Sequence, residues 1–330
     1  MGSRTGSRGG RLRRSDPSAP GITRRRRGSG YSFTAPDGTT VRDAEERARL
    51  QGLAVPPAWR NVWMCPDPNG HVQAVGYDDA GRKQYIYHPR WHERQARKKF
   101  THVMEIGPAL PSARRTVTSL LRSAEPGPDL AAATAFRILD RFGLRAGNDE
   151  YAAAHGAYGL TSMLVEHVHV EDGHVRIAFP GKADQPVAAE VLDRDLAAAL
   201  TTMRTDRSDG TAVGYPVGDE WHPLSTARVN DFLREVTGID MTSKDFRTWH
   251  ATVRAARGLA DRHSDSASTT HRKRAVNATM DEVADFLQNT RAISRNSYVD
   301  PRVIDRFMGG EVIVARTYRQ AERELPGFVG

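Results

Sequence analysis

The spacing of apolar side chains changes character about a third of the way along the 330-residue chain. Between residues 31 and 108 it follows the two-residue period of half-buried strands. Val72, Ala74 and Gly76 alternate with other side chains, Asp78-Asp79-Ala80-Gly81 supplies a turn, and Tyr85 and Tyr87 alternate in the segment that follows. Prolines at 56, 57, 66 and 68 punctuate this small β-rich unit. After "GPALPSARR" the period lengthens to that of helices. Leu130, Phe136, Leu139 and Phe142 fall at helical intervals and the run stops at Gly143. A hairpin interrupts, with "EHVHV" and "HVRIAFP" joined by "EDG" and Val170, Val175, Ile177 and Phe179 alternating. Helices are then predicted over 187–204, 225–236, about 244–262 and 275–288. Phe246, Trp249, Val253 and Ala256 form one buried stripe and Val276, Met280, Val283 and Leu287 the next. Trp59, Trp63, Trp91 and Trp249 are assigned to cores. The predicted class is α+β: a β-sheet unit over 31–108, then a mainly α-helical unit over 109–330 with one embedded β-hairpin.

Charge changes this picture at one end only. The formal net charge is +8, and residues 1–30 hold nine arginines against a single acid, Asp16, which leaves residues 31–330 with 39 basic and 39 acidic side chains. The Arg-, Gly-, Ser- and Pro-rich segment 1–30 lacks apolar periodicity and is expected to be a disordered tail that attracts phosphates without regard to sequence. Gly9-Gly10, Pro17 and Pro20 oppose the amphipathic helix of a transit peptide. No apolar segment approaches the roughly 18 residues that a membrane span needs, and none follows the N-terminal arginines as in a secretion signal. The single cysteine, Cys65, rules out an internal disulfide and suits a reducing cytoplasm.

Candidate chemistry lies in four polar islands at the ends of predicted elements. "LRAGNDEY" carries Arg145 just past a helix; "FPGKADQP" carries Lys182 at the tip leaving the hairpin; "SKDFRTWH" places Arg247 in a first helical turn, about 100° from the Phe246 stripe; "QNTRAISRNSYVD" supplies Asn289 and Tyr298. Taken singly, each has an ordinary surface explanation. Together they suit attack on a phosphodiester. A tyrosine nucleophile has an unperturbed pKa of about 10, so it needs cations to favour phenolate and to stabilise the charge of a pentacoordinate transition state. Arg145 and Arg247 can each clamp phosphate oxygens through a planar, bidentate guanidinium. The departing sugar oxygen needs a proton, which a lysine can give and an arginine cannot; only six of the 48 basic residues are lysines. Asn289 can donate its amide to a further phosphate oxygen. No carboxylate cluster of metal-ligand character accompanies these groups, so neither a metal nor a cofactor is expected.

These motifs, with "PPAWRNVWMCPDPNGHVQAVGYDDAGRKQYIYHPRW", "RAGNDEYAAAHGAYGLTSML", "KDFRTWHATV" and "SYVDPRV", occur in the order found in type IB DNA topoisomerases, and from about residue 30 to 310 the chain resembles the compact, poxvirus-like bacterial class of that family. The resemblance implies a C-shaped clamp on double-stranded DNA, relaxation of supercoils through a 3′-phosphotyrosyl intermediate, strand rotation, and religation without ATP or metal. It also implies Tyr298 as nucleophile, Arg145 and Arg247 as phosphate clamps, and Lys182 as general acid. Viral and nuclear members have His where Asn289 stands, whereas bacterial relatives commonly have Asn. Relatives usually read Asn-Thr-Pro where this chain has Arg291, which leaves open a looser connector or an added phosphate contact.

DNA-binding candidates beyond the catalytic five are Arg82, Lys83, Gln84, Tyr85 and Tyr87 in the β unit, then Asn148, Tyr151, Lys244 and Arg291. Lys244 begins a helix, where the dipole disfavours a cation unless an anion is near. The expected form is a monomer at the nucleoid in the cytoplasm. Two other readings stay open: a tyrosine site-specific recombinase, although such enzymes show His-x-x-Arg where this chain has Lys244-Asp-Phe-Arg247, and a nonenzymatic basic DNA-binding protein driven by the arginine tail.

Overall fold

The computed structural model describes residues 10–28, 30–123, 125–147, 156–181, 186–204, 207 and 209–330. The chain divides into two compact units, Met1–Lys99 and Phe100–Gly330. The predicted boundary at 108/109 falls inside a helix, α2, that runs from Pro89 to Ser123 and passes through Pro108 and Pro111. Both prolines lie on its exposed side, while Gly107 and Leu110 face inward. A Cβ on Gly107 would come within 2.3 Å of the Trp249 ring, so only glycine lets that indole pack there.

The first unit is an antiparallel sheet in the order β2-β1-β3-β4-β5. Its strands are β1 (Ile22–Arg27), β2 (Gly30–Thr34), β3 (Arg60–Met64), β4 (Val72–Tyr77) and β5 (Lys83–Tyr87), with helix α1 (Ala44–Gly52) capped by the Asp43 carboxylate. Register aligns Ile22, Met64, Ala74 and Ile86 in one cross-strand row. That row and Phe33, Leu50, Val55 and Val62 form the core of the unit.

Strand β1 corrects the expectation of a tail disordered through residue 30. Ile22 anchors the segment in the core, and the Arg24 guanidinium lies 4.2 Å from the Tyr31 ring centroid while donating to the carbonyls of Val55, Pro56 and Trp59. The other arginines of the run stay in solvent, so sheet pairing satisfies the backbone without burying their charge. Further upstream, Arg13 bridges Gly70, and the Ser15 hydroxyl donates to the Val72 carbonyl.

The second unit is built around α3 (Pro128–Phe142), which is buried over nearly its whole length. Such a helix is a central strut and not a surface element. Gly143 ends it in the left-handed conformation, φ +58°, as the stop signal predicts. Its two buried charges are paired, Arg137 with Asp193 and Asp140 with Arg114. The predicted hairpin forms as β6 (Val168–Glu171) and β7 (His174–Pro180), and a third strand, β8 (Pro186–Leu192), joins it. The helix predicted from 187 therefore begins only at 194, as α4 (Arg194–Arg204), because Val187, Ala189 and Val191 alternate across β8. A second hairpin, β9 (Gly214–Val217) with β10 (Glu220–Pro223), is a further departure from the single embedded hairpin expected. Next come α5 (Thr226–Thr237), α6 (Ser243–Asp261) and α7 (Thr269–Leu287), then α8 (Arg291–Ser297), α9 (Pro301–Gly309) and α10 (Tyr318–Val329). Trp249 is fully buried, whereas Trp59, Trp63 and Trp91 are half-buried against the expectation of core positions. The class is α+β. Among the described residues no helix is long and apolar enough to cross a membrane.

Candidate active site

Local signals put the tyrosine at a break between two helices. Thr290 caps α8 by accepting from the Ile293 amide, and Asp300, fully buried, caps α9 by accepting from the Arg302 amide, with Pro301 at the first helical position. Tyr298 is the C-terminal cap of α8, its amide bonded to the Ser294 carbonyl. The polar island that carries Tyr298 thus contains a seven-residue helix, and the half-buried ring stands between two capped ends. Thr252 of α6 donates to the Tyr298 carbonyl and accepts from the Asp300 amide, tying this break to the helix that bears Arg247.

Arg247 lies one turn into α6 and is 3% exposed. Its guanidinium donates to the Gly143 carbonyl at the end of α3 and, at 2.9 Å, to the Leu287 carbonyl at the end of α7. It stands 5.1 Å from the Tyr298 ring centroid and within hydrogen-bonding reach of the phenol. Burial pushes its pKa down; the neighbouring phenol offsets part of that effect and the charge of Arg145 adds to it. Arg145 follows Gly143 on a turn pinned by two backbone bonds, its own carbonyl to the Leu160 amide and that of Ala146 to the Thr161 amide. The Arg145 guanidinium donates to the Asn289 Oδ1 at 2.5 Å. The loop that pins it is itself held to the end of β7 by the Tyr158 amide and the Pro180 carbonyl.

Four of the five catalytic candidates, Arg145, Arg247, Asn289 and Tyr298, thus come together from three of the four polar islands. Lys182, Asn148 and Tyr151 lie outside the described residues. No carboxylate lies within ion-pair distance of Arg145 or Arg247 among the described residues, and three buried polar atoms here lack a hydrogen-bond partner: Arg247 Nε, Asn289 Nδ2 and Ser294 Oγ. A buried cation without a counter-charge, beside unsatisfied donors, is costly unless an anion completes it. Phosphate has the charge and the acceptor geometry to do so. Sequence reasoning missed Ser294, Thr252 and the two carbonyls that hold Arg247, since hydroxyls and backbone oxygens carry no spacing signal. No group of three or more potential metal ligands occurs among the described residues.

The remaining candidates are dispersed. Lys244 is exposed one turn before Arg247, and Asp245 beside it closes a capping box with Thr242. Arg291 opens α8 and forms a two-pronged ion pair with Asp281 of α7, at 2.5 and 2.6 Å, so it fastens the connector to α7 instead of loosening it. In the first unit Arg82 and Gln84 both bond the Asp78 carboxylate, Lys83 lies 5.6 Å from the Tyr85 ring centroid, and Tyr85 stacks on Tyr87 at 5.8 Å.

Comparison with known proteins agrees with this geometry. The profile described as "Eukaryotic DNA topoisomerase I, catalytic core" matches residues 88–309, and that described as "Bacterial DNA topoisomerase IB, N-terminal domain" matches residues 30–78. A protein named DNA topoisomerase 1B, from Acanthamoeba polyphaga mimivirus, is 28% identical over 280 residues, which is 82% of this chain and 81% of that protein. A match over two thirds of the chain, continued by the N-terminal one, settles which of the three readings holds: the chain belongs to the type IB DNA topoisomerase family of isomerases.

Proposed function

We propose that this enzyme relaxes supercoiled DNA by transesterification at Tyr298, with neither ATP nor a metal ion. The observation that carries the reading is the buried Arg247 beside the half-buried Tyr298 phenol, with Arg145 and Asn289 alongside, neither arginine forming an ion pair among the described residues. The Tyr298 Oη attacks a DNA phosphorus as its proton passes to water. A phosphorus–tyrosine bond forms and the bond to the 5′ oxygen of the next sugar breaks, leaving a 3′-phosphotyrosyl end. Arg145 and Arg247 neutralise the nonbridging oxygens, and the Asn289 Nδ2, its Oδ1 already engaged by Arg145, donates to the same phosphate. Lys182 gives its proton to the departing 5′ oxygen and recovers it on religation. Torque in the duplex drives rotation of the free end, so no fuel is consumed.

Relaxation of a supercoiled plasmid in EDTA without nucleotide tests the independence from metal and ATP; a requirement for either would overturn it. The acid is tested by Lys182→Ala. This variant should cleave slowly at an ordinary linkage and recover when the leaving oxygen is replaced by sulfur, because a thiolate departs unprotonated. Persistence of the defect on the sulfur substrate removes Lys182 from the role.

A further inference from the structure

We propose that Arg25 and Arg27 of β1 form a DNA phosphate-binding surface continuous with the aromatic face of the N-terminal sheet. This rests on the reading of the chain as a DNA-relaxing enzyme, and it assigns a place to arginines that precede the region matched by the N-terminal-domain profile, residues 30–78.

Register supports the assignment. Successive side chains of a strand point to opposite faces. Ile22 is on the core face, in the row with Met64, Ala74 and Ile86, and Arg24 reaches from that face to the Val55, Pro56 and Trp59 carbonyls. Thr23 is therefore on the other face, in a row that runs Thr34, Thr23, Trp63, Val75, Tyr85. Arg25 and Arg27 share the face of Thr23, as Lys83 shares that of Tyr85. The four-arginine run is thus divided, Arg24 spent on holding the strand and the odd-numbered pair offered to solvent.

Three properties of this face suit a duplex. It is cationic: Arg25, Arg27 and Lys83 are exposed, and no ion pair is formed by any of them among the described residues. The acids of the β4–β5 turn, Asp78 and Asp79, are engaged by Arg82 and Arg60. It is aromatic, with Tyr77 39% and Tyr85 42% exposed. It is also reachable, because Arg25 and Arg27 lie beyond the rows in which β1 pairs with β3. Arg25 and Arg27 of β1 and Lys83 of β5 can meet phosphates while Tyr77 of β4 and Tyr85 of β5 face the bases. Pairing of β1 with β3 ends at Thr23, so Arg25 and Arg27 stand on the projecting β1–β2 ribbon, open to a partner.

The test is the salt dependence of binding to a labelled linear duplex by the full chain. Each phosphate contact contributes about 0.9 to the slope of log affinity against log salt. Arg25→Gln with Arg27→Gln should therefore lower the slope by about 1.8, and Arg25→Lys with Arg27→Lys should restore it. Adding Lys83→Gln should take away about 0.9 more. Should the double variant show a lowered thermal transition, Arg27→Gln alone, at the last residue of the strand, carries about half the change. A slope equal to that of the unsubstituted chain overturns the proposal. Detergent-trapped covalent adduct is scored in parallel. If the unsubstituted chain forms none, the functional reading fails; if it forms adduct and the slopes coincide, only the β1 surface fails.

Discussion

Replacing Arg114 by methionine examines the frame that holds Arg247, one of the two arginines proposed to bind phosphate, in place. Arg114 of α2 makes four charged hydrogen bonds, at 2.8 and 2.7 Å to the Asp140 carboxylate of α3 and at 2.8 Å twice to the Glu322 carboxylate of α10. Glu322 also accepts from the Trp249 indole, and Asp140 lies 3.4 Å from His250 Nε2, both on α6. His250 Nδ1 in turn meets the Tyr318 hydroxyl at 2.5 Å. One guanidinium thus ties α3, which ends at the Arg247-bound carbonyl of Gly143, to α6 and α10. Burial works against its charge, but the two carboxylates outweigh that and keep it firmly protonated. Methionine keeps the packing stem and leaves two carboxylates, each about one-twentieth exposed, without their shared cation. Breaking a buried pair costs about 3–5 kcal/mol, and the 22% exposure of Arg114 places the loss near about 3 kcal/mol. For a unit of this size each kcal/mol is worth about 2–4 °C, so the transition should fall by roughly 6–12 °C. Calorimetry of the full chain reads this directly. A shift under about 3 °C, as for a solvent-screened surface pair, would refute the assignment of the network as a brace.

Three further outcomes follow from the same geometry. Asn289→Ala should slow single-turnover cleavage by about 10²-fold at saturating DNA, the usual loss for one transition-state hydrogen-bond donor; rates within a factor of about two would remove that donor. Arg291→Pro should keep α8 and change stability by no more than about 1 kcal/mol, because proline suits a first helical position and the Asp281 pair is solvent-exposed; a larger loss in denaturant unfolding would contradict this. Burial would raise the Asp140 carboxyl, but His250 and Arg114 hold it below its ordinary 3.8. Its contribution is therefore complete above about pH 4 and lost as the pH falls further, and the acid limb of the stability profile should be shallower in Asp140→Asn; identical limbs would contradict this.

The sequence was most legible where one face of an element meets one core. The stripes of α6 and α7 and the glycine stop of α3 were readable because burial there repeats at the helical period. The proximity of Arg145, Arg247, Asn289 and Tyr298 was legible to the extent that all four stand near element ends, where side chains can converge. What holds them was not. Arg247 depends on the carbonyls of Gly143 and Leu287, far apart in sequence and identical in kind to every other carbonyl. Strand β1 was hidden because its arginines, on both faces, conceal the alternation that Ile22 and Arg24 obey in three dimensions. Strand β8 was absorbed into a helix because alanines at 188 and 189 fit either period. In α8 the anchor of Arg291, Asp281, becomes visible only when α7 and α8 are seen together.

Denaturing the enzyme with detergent during reaction with end-labelled DNA, then mapping the linked peptide, identifies the nucleophile itself. The account predicts one adduct, at Tyr298 and on a 3′ phosphate, and none from Tyr298→Phe although that variant still binds the duplex. An adduct from the phenylalanine variant, or one mapped to another residue such as Tyr158 or Tyr318, would contradict it.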